Sequence, residues 1–319
     1  MHTHRCTRLN PFYFFEKITM ITVVGSYNVD LLISVERLPK EGETVLASSA
    51  TRAHGGKGSN QAVSAARLGS RVTFVGAVGE DEEGRQAISF LEGEGVDTSR
   101  VKLKHAPTGR AYIPFDKHGR STIIVYPGAN RLLTPEDLGT LGGEVMITQL
   151  EIPEAVVREA LAQFGGTTIL NPAPMVLSDT RILADTDILV PDAEEFAQLT
   201  AGSTLERGVE SLLRKVRRAV VVTLGERGAY LAHSNVRRLL PAPKVDAVDE
   251  TGAGDVFSAA LGHYLEKGES LEDAVEFANS VAACSVTKVG GVGPTLAEFE
   301  EFRSKLTGRD KCHTRTPRK

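Results

Sequence analysis

From Val72 onward, short apolar runs alternate with longer stretches whose apolar residues recur at helical spacing. The pattern predicts strands at 72–78, 145–150, 167–171, 187–191 and 219–224, with helices at 81–92, 153–163 and 193–200. Pro153 suits the first turn of its helix, where no N–H partner is lost. Another strand is predicted near 229–232, after a turn at 223–228. Nearer the start, 21–25 reads as a buried strand and 61–68 as a helix stopped by Gly69. Late in the chain, Val256, Phe257, Ala260, Leu261, Tyr264 and Leu265 mark a helix over 256–265. Strand–helix alternation of this kind builds an α/β fold, a three-layer α/β/α sandwich with a mostly parallel central sheet.

Two stretches break the rhythm. Strand-like segments at 31–35, 43–47, 109–113 and 121–126 are separated by turn signals at Pro39, Gly42 and His118–Gly119. They predict a small β-sheet built from two insertions, about 31–54 and 105–125, within one domain spanning 20–307. Such a sheet can cover a site as a lid or pair with the lid of a second copy. Residues 1–19 carry basic residues but no apolar signal-peptide core and no small-residue cleavage site, so a disordered N-terminal extension is expected. His2, His4 and Cys6 lack a partner pair for a metal. The basic, polar 308–319 stretch is expected to fray.

Composition works mainly by exclusion. With 37 Lys and Arg against 41 Asp and Glu, a net charge of −4 gives no electrostatic case for nucleic acid or an anionic membrane. No apolar run is long enough to span a bilayer. Cys6, Cys284 and Cys312 are too scattered for a disulfide framework, which fits a reducing cytoplasm.

Candidate chemistry centres on the run DETGAGD at 249–255, placed just before the predicted 256–265 helix. Two glycines at a helix start let an anion approach backbone N–H groups that have no internal partner. A carboxylate there repels the same anion, so Asp255 suggests a base that takes a proton from a hydroxyl attacking a bound phosphoryl group. A plainly capped helix is the alternative. The run GGKGSN at 55–60 opens the helix before Gly69 with Lys57 and Asn60, and it matches neither a Walker A loop nor a dinucleotide fingerprint. Beyond the 21–25 strand, Asn28 and Asp30 share one side if the chain stays extended, a spacing suited to adjacent sugar hydroxyls. An Asx-stabilised turn would explain them equally. Glu151, Asp192 and Glu195 follow strand ends; Glu151 and Glu195 are candidates to orient the water around Mg²⁺, though each could simply be solvated surface or favour a helix N-terminus.

Five motifs in this order, GSYNVD at 25–30, GGKGSNQA at 55–62, PGAN at 127–130, NPAP at 171–174 and DETGAGD at 249–255, resemble the pfkB-type (ribokinase) family of carbohydrate kinases. The resemblance spans about 21–302. It implies ATP-dependent phosphorylation of D-ribose at the 5-hydroxyl, with Asp255 as general base and the amides of Gly252, Ala253 and Gly254 as anion hole. Asn28, Asp30, Gly56, Lys57, Gly58, Asn60 and Glu151 would hold the sugar. Asp192, Thr223, Gly225, Gly228, Gly254 and Asn279 would lie along the nucleotide, with Glu195 acting on Mg²⁺ indirectly. Asp249, Thr251, Ser285, Lys288, Gly290 and Thr295 would surround an activating K⁺. A homodimer joined through the lid sheets is implied as well. Three departures stand out: Asp192 where the family usually has Asn, Glu250 in place of a small hydroxyl residue, and a 290–295 loop one residue longer. A nucleoside kinase, with Tyr112 and Phe115 beside a base, a ribose-1-phosphate kinase, with Arg110 on the phosphate, and a catalytically idle sugar-binding regulator are the competing readings.

Overall fold

A computed structural model describes residues 20–312; the 1–19 extension and the end of the basic tail lie outside the described residues. In chain order the elements are β1 (Ile21–Val24), β2 (Asn28–Val35), β3 (Ala47–Gly55), α1 (Lys57–Arg67), β4 (Val72–Gly79), α2 (Glu82–Gly93) and β5 (Val96–Lys104). Then follow β6 (Arg110–Phe115), β7 (Ile124–Tyr126), β8 (Val145–Thr148), α3 (Glu154–Gln163), β9 (Thr167–Leu170), β10 (Ile188–Leu189), α4 (Ala193–Leu199) and α5 (Leu205–Leu213). The chain closes with β11 (Ala219–Thr223), β12 (Ala229–His233), β13 (Val236–Leu240), α6 (Ala253–Glu266), α7 (Leu271–Ser285) and α8 (Leu296–Cys312).

Nine strands form the main sheet in the order β13-β12-β11-β10-β9-β8-β1-β4-β5. Pairing is parallel from β11 to β5, and β12 and β13 add an antiparallel edge. Alternation along each strand sends side chains to opposite faces. Ile21, Val23, Ile147 and Val221 enter the core beneath α1, α6 and α7. Val24, Met146, Leu170 and Val220 enter the core beneath α3 and α5. Each fully buried Leu or Ile contributes on the order of 2 kcal/mol. The predicted sandwich is the observed one.

The second sheet runs β3-β2-β6-β7, with β2 parallel to β6 and the outer pairs antiparallel. Its first insertion differs from expectation. The strand predicted at 43–47 is irregular, because Glu43 is drawn into a turn by Arg37 and the Lys40 N–H, and the strand starts at Ala47 instead. β3 is an exposed edge, so its sequence ASSATRAHG shows no apolar alternation to read. The 187–191 strand shrinks to two residues, and the 121–126 strand to three. Pattern reading missed β5, β13, α5, α7 and α8. Among the described residues no helix is long and apolar enough to cross a membrane.

Candidate active site

The site begins where β13 gives way to α6. Gly252 occupies the N-cap in the left-handed region (φ 72°, ψ 4°), a conformation that glycine adopts without steric cost. The helix starts earlier than predicted, at Ala253, which puts Asp255 in its first turn. The Ala253 N–H donates to the Glu250 carbonyl at 3.2 Å, while the amides of Gly254 and Asp255 have no acceptor four residues back within the helix. Asp249 ties the turn to the late loop. One of its oxygens accepts from the Thr251 N–H at 2.9 Å and the other from the Gly290 N–H at 3.0 Å.

Asp255 is 5% exposed and its two oxygens are held separately. Asn60 Nδ2 donates to Oδ2 at 3.1 Å, and Gln61 Nε2 to Oδ1 at 3.0 Å. The two glycine-led helix starts thus meet, and Asn60, expected on the sugar, here grips Asp255. Gln61 was not singled out from the sequence. It stands in the GGKGSNQA motif, but a fully buried Gln beside an Asn reads as helix surface until its partners are known. Lys57 sits in the first turn of α1, and its ammonium is held firmly protonated by Asp255 above all, with Glu151, Glu195 and Asp192 adding to the pull against burial.

Under the lid, the start of β2 is clamped by Asn130 of the PGAN motif. Its Oδ1 accepts from the Tyr27 N–H at 3.1 Å, and its Nδ2 donates to the Tyr27 carbonyl at 2.8 Å and to Asn28 Oδ1 at 3.0 Å. Glu151 Oε2 accepts from the Lys57 N–H at 3.0 Å, from Asn28 Nδ2 at 3.4 Å and from the Ser26 hydroxyl. Asp30 lies against Gly55, where a Cβ would come within 2.2 Å of its carboxylate. Burial, then the charges of Glu151 and Asp255, raise the Asp30 carboxyl to about 7. Asn28, Asp30, Lys57, Asn60, Glu151 and Asp255 are thereby one neighbourhood.

A cavity of about 150 Å³ opens on the other side of Asp255. Lys57, Asp192, Glu195, Thr223, Glu250 and the 252–255 turn line it. Asp192 caps α4: its Oδ1 accepts from the Glu195 N–H at 2.8 Å, and Glu195 Oε2 accepts from the Asp192 N–H at 2.9 Å. Burial raises the Glu195 carboxyl to about 7, with the Asp192 charge adding and the Asp192 N–H and Lys57 opposing. The capping box uses one oxygen of each carboxylate, so hard oxygen donors remain of the type Mg²⁺ and its water shell accept. Gly225 and Gly228 shape the turn after Thr223. Asn279 does not line this cavity; it is buried and donates to the Leu240 carbonyl at 2.9 Å, close to where Gly228 packs. Around the expected K⁺ position, the Ser285 hydroxyl donates to Ala282 O, while Lys288 and Thr295 turn their side chains to Glu298. Asp249 keeps a lone pair on each oxygen, so an oxygen-ligated monovalent ion fits beside it. Among the described residues no group of three or more His, Cys, Asp or Glu is arranged to hold a metal alone.

A carboxylate, a lysine and unpaired helix-start amides converging on one cavity, next to a small β lid, are the parts of a phosphoryl-transfer site. The chain matches the pfkB family carbohydrate kinase model over residues 18–297, and it belongs to that family of ATP-dependent carbohydrate kinases. It is 35% identical over 297 residues to a ribokinase of Bacillus subtilis, covering 89% of this chain and 99% of the relative. It is 34% identical over 301 residues to a deoxyribokinase of Salmonella typhi, covering 89% and 98%. The solved ribokinase of Thermotoga maritima superposes with a TM-score of 0.85 at 36% identity, covering 90% of this chain and 99% of that one.

Proposed function

We propose that the protein transfers the γ-phosphoryl group of ATP to the 5-hydroxyl of D-ribose, giving D-ribose 5-phosphate and ADP. Asp255 carries the reading: a buried carboxylate oriented by two amide donors, beside helix-start amides on the same cavity. The acceptor hydroxyl loses its proton to Asp255 as its oxygen attacks the γ-phosphorus, and ADP leaves in line. The amides of the Gly252–Asp255 turn, with Lys57, stabilise the charge on the transferring oxygens. Asn28, Asp30, Gly56, Gly58, Asn60 and Glu151 wall the sugar, and Thr223, Gly225, Gly228 and Asn279 border the nucleotide. Glu195 would orient the water shell of the Mg²⁺ that accompanies ATP, an ion that would offset phosphate charge, while Asp192 adds an anion to the same cavity. K⁺ beside Asp249, with backbone of Thr251, Ser285, Lys288 and Gly290 and with Thr295, would steady the turn that Asp249 already ties to Gly290.

An uncharged sugar suits the lid. Arg110 pairs with Val29, on the face of the sheet opposite Asp30 and Ala111, and donates to Glu83 at 2.8 Å, so it is not turned toward a sugar phosphate. Tyr112 shares the Arg110 face, opposite Asp30, so it is not placed to stack on a nucleoside base beside the sugar. 2-Deoxyribose is the second reading, supported by an identity to the deoxyribokinase within one percentage point of that to the ribokinase. The lid's outer strand β7 and the residue before it expose Ile123, Ile124 and Tyr126, which favours a homodimer across the lids; a cytoplasmic location is proposed with it. A monomeric mass by sedimentation would refute that pairing.

The test is a panel of ribose, deoxyribose, fructose, adenosine, cytidine and ribose-1-phosphate with ATP or ADP and Mg²⁺, with and without K⁺, beside Asp255→Asn. Ribose with ATP should lead, and the variant should lose about 10²–10⁴ in turnover. A leading nucleoside overturns the sugar assignment. Ribose binding without turnover of any acceptor would make the protein a sugar binder.

A further inference from the structure

We infer that Gln61, backed by Gln149, is a positioning residue that aims the Asp255 carboxylate at the acceptor hydroxyl, an inference that rests on Asp255 being the base proposed above. Gln61 is fully buried, so it cannot touch the sugar or the nucleotide. Its Nε2 donates to Asp255 Oδ1 at 3.0 Å and to Asn171 Oδ1 at 3.3 Å, and its Oε1 accepts from Gln149 Nε2 at 2.5 Å. Asn171 Nδ2 donates to the Val190 carbonyl at 3.1 Å, which turns the Asn171 oxygen toward Gln61.

The direction of this chain of amides is decided at the Asp255 end. Reversing Gln61 would set its oxygen against two acceptors, Asp255 Oδ1 and Asn171 Oδ1, and its NH₂ against the NH₂ of Gln149. Nothing at the far end competes: among the described residues the buried Gln149 Oε1 has no hydrogen-bond partner. Asn60 lies at the margin of the site, 8% exposed, and can exchange its bond to Asp255 for one to a sugar hydroxyl. Gln61 has no such alternative. It is the donor that stays on Asp255 when the sugar is bound, so it holds one oxygen fixed and leaves the other for the incoming hydroxyl.

Gln61→Met keeps the length of the side chain and removes the donor. In the full-length protein, kcat for the best acceptor should fall about 10- to 100-fold, the loss expected for a hydrogen bond to a charged group, with KM for the acceptor within about threefold. In an Asp255→Asn background, read by single-turnover quench, the same substitution should change the rate by less than about twofold, because Gln61 acts only through Asp255. Equal losses in both backgrounds would assign Gln61 a merely structural part and overturn the inference, while Asp255 keeps its role. An Asp255→Asn enzyme with full activity would overturn both readings. If Gln61→Met does not fold, Gln149→Met takes its place, with an expected kcat loss of about three- to tenfold that vanishes beside Asp255→Asn. No loss, or the same loss in both backgrounds, would again refute the positioning role.

Discussion

Gly252 and Gly254 stand two residues apart in the same turn, yet alanine at each should fail in different ways. At Gly252 the backbone is left-handed, which costs about 1–2 kcal/mol for a residue with a Cβ. The added carbon would lie 2.2 Å from the Gly291 carbonyl oxygen and 2.7 Å from its Cα, where ordinary contact begins at 3.4 Å. Backbone cannot rotate out of the way as a side chain can, so the loop at 290–291 must retreat by roughly 1 Å. Retreat stretches the 3.0 Å bond from the Gly290 N–H to Asp249, a charge-assisted contact worth about 1.5–3 kcal/mol. The sum is on the order of 3 kcal/mol, or a fall in Tm of about 5 °C for a domain of this size. A displacement of about 1 Å next to the reacting groups costs about 10²-fold in rate.

At Gly254 no atom lies within 4 Å of an added Cβ and the φ is not positive. Gly254→Ala should therefore keep the wild-type Tm to within about 2 °C, since alanine favours the helix. Its methyl nevertheless stands at the cavity wall, and kcat should fall about tenfold or more as it crowds the anion turn. Scanning calorimetry and coupled ADP release separate the two variants. A Gly252→Ala enzyme with unchanged Tm and kcat, or a Gly254→Ala enzyme melting as early as Gly252→Ala, would refute this account of the turn.

Asp192→Asn keeps an N-cap acceptor for the Glu195 N–H, so Tm should hold within about 1 °C, while KM for ATP should fall about three- to tenfold as one anion leaves the phosphate cavity; titration with ATP at fixed free Mg²⁺ decides, and an unchanged KM would show that Asp192 does not face the phosphates. Asn130→Ala strips partners from the Tyr27 N–H and carbonyl and from Asn28 Oδ1, so it should cost about 2–3 kcal/mol by urea denaturation and raise the sugar KM more than the ATP KM. Asp30 and Glu195 both titrate near 7 when folded, above their ordinary 3.8 and 4.5, so the folded chain binds more protons than the unfolded one across that interval. Their stabilising contribution is complete below about pH 4 and is lost as pH rises through about 7. The Tm of the ligand-free protein should accordingly drop between about pH 4 and 7, less steeply in Asp30→Asn, and identical slopes in the two proteins would refute the burial of Asp30.

What could be read in advance follows from where the physics is local. Central strands such as β1, β8 and β11 are buried on both faces, so they appear as unbroken apolar runs whatever surrounds them. Edge strands have no such duty: β3 is exposed over most of its length, and its place was decided by the Glu43 turn and by pairing of Gly55 with Asn28. The same division runs through the site. The DETGAGD motif announced a base beside an anion turn because both features lie within one helix start. Asp192 looked from the sequence like an added anion among phosphates, and the capping box gives it a second, local reason to be there. Gln61 was hidden because its meaning is entirely long-range: Asp255 is 194 positions away and Gln149 is 88. A buried amide between a carboxylate and a second amide has only one orientation open to it, and that constraint exists only once three separate segments have closed on one another.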